Sequence, residues 1–132
     1  MNWYKIAQNI KSVSFDFDGT IALNVWNNED LDYERDEKSK IILTPNDYII
    51  NLMRQYRSQG YKVFVVSSRI EEYKQEIIDF LNKYNVPYDE CHVTNSRYKA
   101  QTLKDLNVQV HYDDDEREIE KIKEIGINGY RV

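Results

Sequence analysis

The chain has 132 residues, 41% of them hydrophobic, which is enough apolar material for one compact core. Its formal net charge is −5 with acids and bases interspersed, so no basic stripe indicates nucleic-acid binding. The sequence contains no membrane-spanning apolar run and no signal-peptide core, and its single cysteine, Cys91, excludes an intrachain disulfide. We therefore expect residues 1–132 to form one domain in a reducing, cytoplasmic compartment, with no membrane partner.

The first third of the chain predicts a helix, a strand and a polar insert. Residues 2–10 carry apolar side chains at helical spacing, and residues 12–17 form a β-prone run that predicts a buried strand. The insert from Asn24 to Lys40 has six acidic and three basic side chains. It is too short for an independent domain, so we expect a hairpin flap or a mobile loop. Its main apolar residues are Trp26, Leu31 and Tyr33.

Helices and strands alternate through the rest of the chain. Thr44 is the predicted N-cap of a helix with Pro45 at its first position and Asp47 three residues after the cap, and Gly60 is its predicted left-handed end. The following predicted elements are a strand over 62–66, a helix over 71–84, a strand over 89–94, a helix capped by Asn95 or Ser96 and ending at Leu106, a strand over 108–112, a helix over 116–125 and a strand over 127–132. This alternation indicates a parallel sheet with right-handed crossovers.

Two carboxylates, Asp16 and Asp18, close the first predicted strand and are followed directly by Gly19 and Thr20. Residues two apart on a strand face the same side, so both carboxylates can converge on one small volume. Such carboxylates repel each other and resist burial, and Mg²⁺ removes this difficulty because it prefers oxygen ligands. Gly19 permits a sharp turn and the close approach of a ligand. Since ligands bind at the carboxyl ends of parallel strands, the stretch predicts a metal-assisted carboxylate site.

The sequence Asp16-Phe17-Asp18-Gly19-Thr20 resembles the DxDGT signature of the haloacid dehalogenase (HAD) superfamily, most of whose members are Mg²⁺-dependent phosphohydrolases. Three later segments resemble the other motifs of that superfamily, in its order. Ser67 ends a hydrophobic strand as in the second motif, and Lys99 precedes the fourth strand as in the third motif. Asp113 and Asp114 follow an apolar strand as in the fourth motif.

The resemblance covers residues 12–132 and implies an α/β fold. We expect a three-layer, Rossmann-like (HAD-like) parallel sheet with helices on both faces, a short flap after the first strand and no large cap domain. Dehalogenases of the superfamily lack the second aspartate of the signature. Asp18 therefore favours phosphoester chemistry over the cleavage of carbon–halogen bonds.

The resemblance also implies a role for each motif residue. Asp16 is the expected nucleophile that forms an aspartyl-phosphate, and Asp18 is the expected acid and base. The implied Mg²⁺ ligands are the Asp16 carboxylate, the Asp18 main-chain carbonyl and Asp113, with Asp114 bound nearby or through water. Ser67 and Lys99 are expected to hold the phosphoryl oxygens. Further predicted phosphate contacts are Gly19 and Thr20, through their main-chain N–H groups, and Ser68 and Arg69.

Two points in this arrangement stay open. The metal-binding pair is either Asp113 with Asp114 or Asp114 with Asp115, since acids at a helix amino terminus also act as caps. We expect the capping role for Asp115. Lys104 is the alternative to Lys99 and lies further along the same predicted helix. His92 and His111 have no partner at zinc-ligand spacing and are expected to be packing or surface residues.

The predicted substrate is a phosphomonoester, whose identity the sequence leaves open. The layout is similar to the 3′-phosphatase domain of phage-type polynucleotide kinases, and the chain contains no GxxxxGK[ST] motif for the kinase half. A nucleotide, a nucleic-acid end or another phosphomonoester is therefore expected, although the negative charge gives no support for tight polynucleotide binding. The alternative is a catalytically silent HAD-like binding or regulatory domain. The sequence does not predict the oligomeric state.

Overall fold

The computed structural model describes residues 11–25 and 42–132. The predicted helix over 2–10 and most of the polar insert, with Trp26, Leu31 and Tyr33, lie outside the described residues. The strands are β1 (Ser12–Phe15), β2 (Ala22–Val25), β3 (Ile42–Pro45), β4 (Lys62–Ser67), β5 (Glu90–Val93), β6 (Val110–Asp113) and β7 (Asn128–Arg131). The helices are α1 (Asp47–Ser58), α2 (Lys74–Lys83), α3 (Ala100–Asp105) and α4 (Glu116–Glu124), with a 3₁₀ turn over Glu71–Tyr73 before α2.

Five of the strands form one parallel sheet in the order β5-β4-β1-β6-β7. The first strand therefore lies at the centre, with its register set by Val13 opposite both Val63 and Val110. This parallel α/β architecture confirms the predicted fold class. The carboxyl ends of β1, β4 and β6 are adjacent as a result, and the residues that follow them meet at one edge of the sheet.

Hydrophobic side chains are buried on both faces of this sheet. Val63 and Val65 of β4 pack with Ile49 of α1 and Ile77 of α2 in one core cluster. The alternate residues of β4 belong to a second cluster on the opposite face, because successive side chains of a strand point in opposite directions. That second cluster contains Phe64, Val66, Leu103, Val108, Ile119, Ile122 and Ile127. The continuous apolar run of β4 thus reflects a strand covered on both sides, in a three-layer arrangement.

Strands β2 and β3 form a separate antiparallel pair beside the end of β1, and they are the base of the predicted hairpin flap. This pairing corrects the predicted start of the next helix. Thr44 lies opposite Leu23 in the ladder and its hydroxyl contacts the Leu23 carbonyl at 3.3 Å, so neither Thr44 nor Pro45 is part of α1. Asn46 occupies the N-cap position instead, and its carbonyl accepts the Ile50 N–H at 3.0 Å.

The predicted start of α3 is also wrong. Asn95 and Ser96 have φ angles of 53° and 65°, so they form a left-handed turn and not a helix cap. The Asn95 side chain accepts the N–H of Glu71 at 2.8 Å, in the turn before α2. Helix α3 begins only at Ala100, directly after Lys99. Gly60, by contrast, has a φ of 88° just after α1, which confirms its predicted left-handed conformation.

Within residues 11–25 and 42–132, no helix combines the length and the apolar character that a membrane crossing requires.

Candidate active site

The centre of the candidate site is the ammonium group of Lys99, which contacts two carboxylates from neighbouring strands. Lys99 Nζ lies 2.7 Å from Asp16 Oδ1 and 2.6 Å from Asp113 Oδ2. The three side chains are only 3%, 7% and 1% exposed, respectively. The Asp16 N–H donates to the Tyr112 carbonyl at 2.9 Å, which fixes the end of β1 against β6. The structure therefore brings three predicted site residues into direct contact, whereas Lys104 is exposed on α3.

Burial and charge shift the pKa values of this group in different directions. Burial would lower the pKa of Lys99, but the charges of Asp16 and Asp113 outweigh it and raise that pKa. Burial raises the pKa of Asp16 well above its usual range, with Lys99 opposing this shift and Asp113 adding to it. Burial would raise the pKa of Asp113 as well, but the hydrogen bond from His111 and the charge of Lys99 outweigh burial and hold that pKa below its usual range. Asp113 is therefore the ionised partner of Lys99, and ionised Asp16 needs further positive charge nearby.

A third carboxylate, Asp114, completes a group that fits a divalent cation. Oxygen atoms of Asp16, Asp113 and Asp114 all lie within 4.8 Å of one another. With Lys99, the group carries a formal charge of −2, and its donors are the hard oxygen atoms that Mg²⁺ prefers. The Asp115 side chain instead accepts the Arg117 N–H at 2.9 Å as the N-cap of α4. This geometry favours the pair of Asp113 and Asp114 over the pair of Asp114 and Asp115.

Gly19 makes room for Asp114 in this group. Its φ is 79°, and a Cβ atom at this position would lie 2.0 Å from Asp114 Oδ2. Its N–H donates to the Ala22 carbonyl at 2.8 Å, and the N–H of Thr20 donates to the Phe17 carbonyl at 3.2 Å. Both N–H groups thus have partners inside the turn, which argues against the prediction that they hold a phosphate. The fit of Gly19 against a carboxylate is the close approach that its missing side chain allows.

Asp18 and Arg69 form a pair on the outer side of the site. Arg69 Nε and one of its terminal nitrogens each lie 2.8 Å from an oxygen of Asp18. The guanidinium also contacts Glu76 at 2.9 Å and lies 5.3 Å from the centre of the Phe17 ring. Asp18 is therefore not among the clustered carboxylates, and its predicted metal contact, through the main-chain carbonyl, stays a prediction. Arg69 stays a predicted phosphate contact that is bound to Asp18 in this structure.

The end of β4 places Ser67 beside this pair. Ser67 is 1% exposed, and its hydroxyl oxygen accepts the Arg69 N–H at 3.1 Å. The hydroxyl hydrogen stays available for another acceptor, as a phosphate contact would require. Ser68 is exposed, and its carbonyl accepts the Ser96 N–H at 2.8 Å. Ser67 is therefore better placed than Ser68 for the predicted role.

Two buried residues of the site were not predicted. His111 contacts Asp113 Oδ2 through Nε2 at 2.8 Å and Ser14 through Nδ1 at 2.6 Å, so it is more than a packing residue. The sequence did contain a signal for this contact, because His111 lies two residues before Asp113 on one strand and such residues share a face. Glu118 of α4 accepts the main-chain N–H of Lys99 at 2.9 Å, and burial raises the pKa of its carboxyl.

Comparisons with known proteins identify the fold. The parallel sheet and the carboxylates at its strand ends define a Rossmann-like α/β protein with an acidic site at the sheet edge. No protein-family model matches the chain, and no curated protein matches it in sequence. Among solved structures, a HAD-family enzyme from Bacteroides thetaiotaomicron, in complex with magnesium and inorganic phosphate, is similar with a TM-score of 0.60 and 12% identity over 93% of this chain and 94% of that one. A HAD-superfamily hydrolase from Ehrlichia chaffeensis has a TM-score of 0.60 and 15% identity over 90% of each chain.

A chain of the Pnkp1/Rnl/Hen1 complex is also similar, with a TM-score of 0.70 and 22% identity over 94% of this chain. The present chain covers only 46% of that chain's length. A second structure, of the Pnkp1/Rnl/Hen1 RNA repair complex, gives a TM-score of 0.70 with 23% identity and covers 42% of its chain. The chain therefore has the fold of HAD-superfamily hydrolases, as the sequence motifs predicted.

Proposed function

We propose that the protein is a Mg²⁺-dependent phosphomonoester hydrolase that acts through an aspartyl-phosphate. The observation that carries this proposal is the contact of Lys99 with both Asp16 and Asp113, beside Asp114. Phosphoryl transfer requires little more than a positioned nucleophile and positive charge around the phosphoryl oxygens. The buried lysine supplies one such charge, and the cluster of three carboxylates fits the cation that would supply the rest.

In the proposed reaction, an oxygen of Asp16 attacks phosphorus while the bond from phosphorus to the leaving oxygen breaks. Asp18 donates a proton to that oxygen, so the product alcohol leaves neutral. Asp18 then removes a proton from a water molecule that attacks the aspartyl-phosphate, and the bond from phosphorus to Asp16 breaks. Bound Mg²⁺ would neutralise charge on the phosphoryl group, with Asp16, Asp113 and Asp114 as the side chains available to hold it. Before it can donate its proton, Asp18 must release Arg69 and turn toward the substrate.

The proposed substrate is a nucleotide or a nucleic-acid end that carries a terminal phosphate. The similarity to chains of an RNA repair complex supports a nucleotide or nucleic-acid end as the phosphomonoester. The net charge of −5 favours recognition of the terminal phosphate over extended contacts with a polynucleotide. A cytoplasmic location stays a prediction.

The decisive experiment measures phosphate release from p-nitrophenyl phosphate, mononucleotides and an oligonucleotide with a 3′-phosphate. We expect turnover with Mg²⁺, none with EDTA, and none in the variant Asp16→Asn. Acid-quenched enzyme should carry a phosphoryl group on Asp16 when analysed by mass spectrometry. Undiminished turnover in Asp16→Asn would remove the mechanism. Tight phosphate binding without turnover on every substrate would favour the alternative of a silent binding domain.

A matched pair of variants tests the metal site. Asp113→Asn should abolish phosphate release at every Mg²⁺ concentration, because it removes a buried negative charge from the cluster. Asp115→Asn should retain activity, since asparagine can still cap α4. The reverse result would show that Asp114 and Asp115 form the metal-binding pair.

A further inference from the structure

A buried hydrogen-bonded chain connects the middle of β1 to the carboxylate cluster. Ser14 and His111 lie opposite each other on the paired strands β1 and β6, and both are 0% exposed. Ser14 Oγ lies 2.6 Å from His111 Nδ1, and His111 Nε2 lies 2.8 Å from Asp113 Oδ2. These two contacts use every polar atom of the imidazole ring.

The partners define which ring nitrogen carries the hydrogen. An ionised carboxylate only accepts, so Nε2 of His111 must donate to Asp113. In the neutral ring, Nδ1 then accepts, and the hydroxyl of Ser14 is the donor that it needs. A doubly protonated ring is disfavoured because it would place a buried positive charge beside Lys99, which contacts the same Asp113 oxygen at 2.6 Å. The geometry therefore selects one neutral tautomer.

Three donors converge on the Asp113 carboxylate. Lys99 Nζ and His111 Nε2 donate to its Oδ2 atom, and the main-chain N–H of Asp115 donates to Oδ1 at 3.0 Å. Donors on both oxygens fix the plane of the carboxylate as well as its position. His111 lies two residues before Asp113 on β6, so its side chain is on the same strand face and contacts the carboxylate from within the sheet.

We propose that His111, held by Ser14 in the tautomer with hydrogen on Nε2, is a positioning residue that orients Asp113 for a divalent cation. This inference rests on the proposed function, in which Asp113 is a metal ligand. A buried histidine with two hydrogen bonds has to be desolvated, whereas a phenylalanine of similar size would fill the same space without polar atoms. A role in orienting the ligand accounts for the polar ring, since partners of this kind typically change metal affinity by about 10–100-fold.

The first test uses the wild-type protein. Nitrogen-15 NMR of the histidine ring should show His111 with hydrogen on Nε2 and a hydrogen bond from Ser14 to Nδ1, with and without metal. In Ser14→Ala, which changes little volume, Nε2 should keep its hydrogen because Asp113 still only accepts, and the Nδ1 chemical shift should move to that of a nitrogen without a hydrogen bond. Hydrogen on Nδ1 in the wild-type protein would overturn the proposal directly, whatever the variants do.

The second test compares two amides in the same buried position. Glutamine in His111→Gln reaches as far as Nε2 and can donate to Asp113, whereas asparagine in His111→Asn reaches only as far as Nδ1 and leaves Asp113 without this donor. Binding of Mn²⁺, measured by electron paramagnetic resonance of the free ion, should weaken about tenfold or more in His111→Asn and clearly less in His111→Gln. Thermal unfolding with EDTA should be similar for the two variants, because both bury one amide.

The outcomes separate this inference from the function on which it rests. Equal Mn²⁺ affinity in the two variants and the wild type overturns the positioning role and leaves the proposed function intact. Equal weakening in both variants also overturns it, because a purely structural role would not depend on the reach of the amide. Absence of Mn²⁺ binding in the wild type overturns the proposed function itself, and with it the positioning role.

Discussion

The site has an inner and an outer part that differ in burial and therefore in energetics. The inner part is Lys99 between Asp16 and Asp113, whose side chains are 7% exposed or less. The outer part is the pair of Arg69 and Asp18, whose side chains are 20% and 39% exposed. Removing one partner from a buried ion pair typically costs about 3–5 kcal/mol, whereas an exposed pair contributes about 0–1 kcal/mol. The inner part is thus built to stay in place and the outer part is able to exchange partners.

This difference matches what the proposed reaction asks of each part. A nucleophile and a metal ligand must be held before the substrate arrives, because positioning supplies much of the rate. An acid and base must instead contact several groups in turn. The structure therefore predicts that substitutions in the inner part change both stability and turnover, and that substitutions in the outer part change turnover or substrate affinity with little effect on stability.

Replacing the central lysine should give the largest effect. Lys99→Met leaves two buried carboxylates without their shared cation, so phosphate release should fall by about 10²–10³-fold, as for the loss of a preorganised charge. The free energy of unfolding in EDTA should fall by about 3–5 kcal/mol. A phosphate-release assay measures the first quantity, and denaturant unfolding measures the second. Lys104→Met, on the exposed side of α3, is the control and should change neither quantity. Equal losses in the two variants would contradict the central role of Lys99 in the inner part of the site.

Crowding the junction between the two parts should have the next largest effect. Gly19→Ala introduces a Cβ into space that Asp114 occupies, so we expect turnover to fall by about 10²-fold through displacement of that carboxylate. Gly60→Ala is the matched control, because Gly60 also has a positive φ but has no atom within 4 Å of the added Cβ. Both variants should lose about 1–2 kcal/mol of stability from the left-handed backbone. Equal activity in the two variants would show that Asp114 is not needed.

A change in the outer part should be smaller. Arg69→Lys keeps a positive charge but loses the planar guanidinium, which pairs with Asp18 here and is predicted to contact phosphate. KM for a phosphomonoester should therefore rise about tenfold, equivalent to one charge-assisted hydrogen bond. The free energy of unfolding should change by less than about 1 kcal/mol. Arg57→Lys, which alters the surface pair with Asp89, is the control. A large loss of stability with unchanged KM would make Arg69 a structural residue.

The most gradual expected effect is the dependence of stability on pH, which is spread over several pH units. Burial raises the pKa of Asp16, so above about pH 4 the unfolded chain loses this proton while the native protein keeps it. In that window the native state binds more protons, and stability falls by about 1.4 kcal/mol per pH unit as the pH rises toward the native pKa. Asp16→Asn does not titrate there, so in EDTA its stability relative to the wild type should increase over this window. Unfolding measured at several pH values checks this, and a constant difference would contradict the raised pKa.

The sequence predicted the parallel sheet and the positions of its strand ends because apolar runs followed directly by acids are local signals. Asp16 directly follows β1 and Asp113 ends β6, which is the neighbouring strand, and the alternation of helices and strands was sufficient to place both residues at one edge of the sheet. The predicted starts of α1 and α3 were wrong because tertiary contacts overrode the local sequence preference. Thr44 had the chemistry of a cap, but its pairing with Leu23 in the hairpin base took precedence over the local preference.

The contacts inside the site were less accessible to sequence reasoning. Lys99 and Lys104 have the same chemistry, and only the path of the chain after the left-handed turn at Asn95 and Ser96 directs Lys99 into the sheet edge. The pairing of Asp18 with Arg69 depends on the rotamer of the long Arg69 side chain. His111 could have been recognised from its spacing to Asp113, but its partner Ser14 lies on another strand and needed the register of β1 against β6.

The central position of β1 has a consequence for how the protein forms. Its two neighbours, β4 and β6, come about 50 and about 100 residues later in the chain, so its pairings are long-range contacts of the kind that slow folding. During synthesis, β1, which leads directly into Asp16, is made before β6, which carries Asp113, and lacks that partner strand until then. A nascent or truncated chain that stops before Asp113 accordingly lacks two of the three clustered carboxylates, so the candidate site can form only after residue 114 has been made.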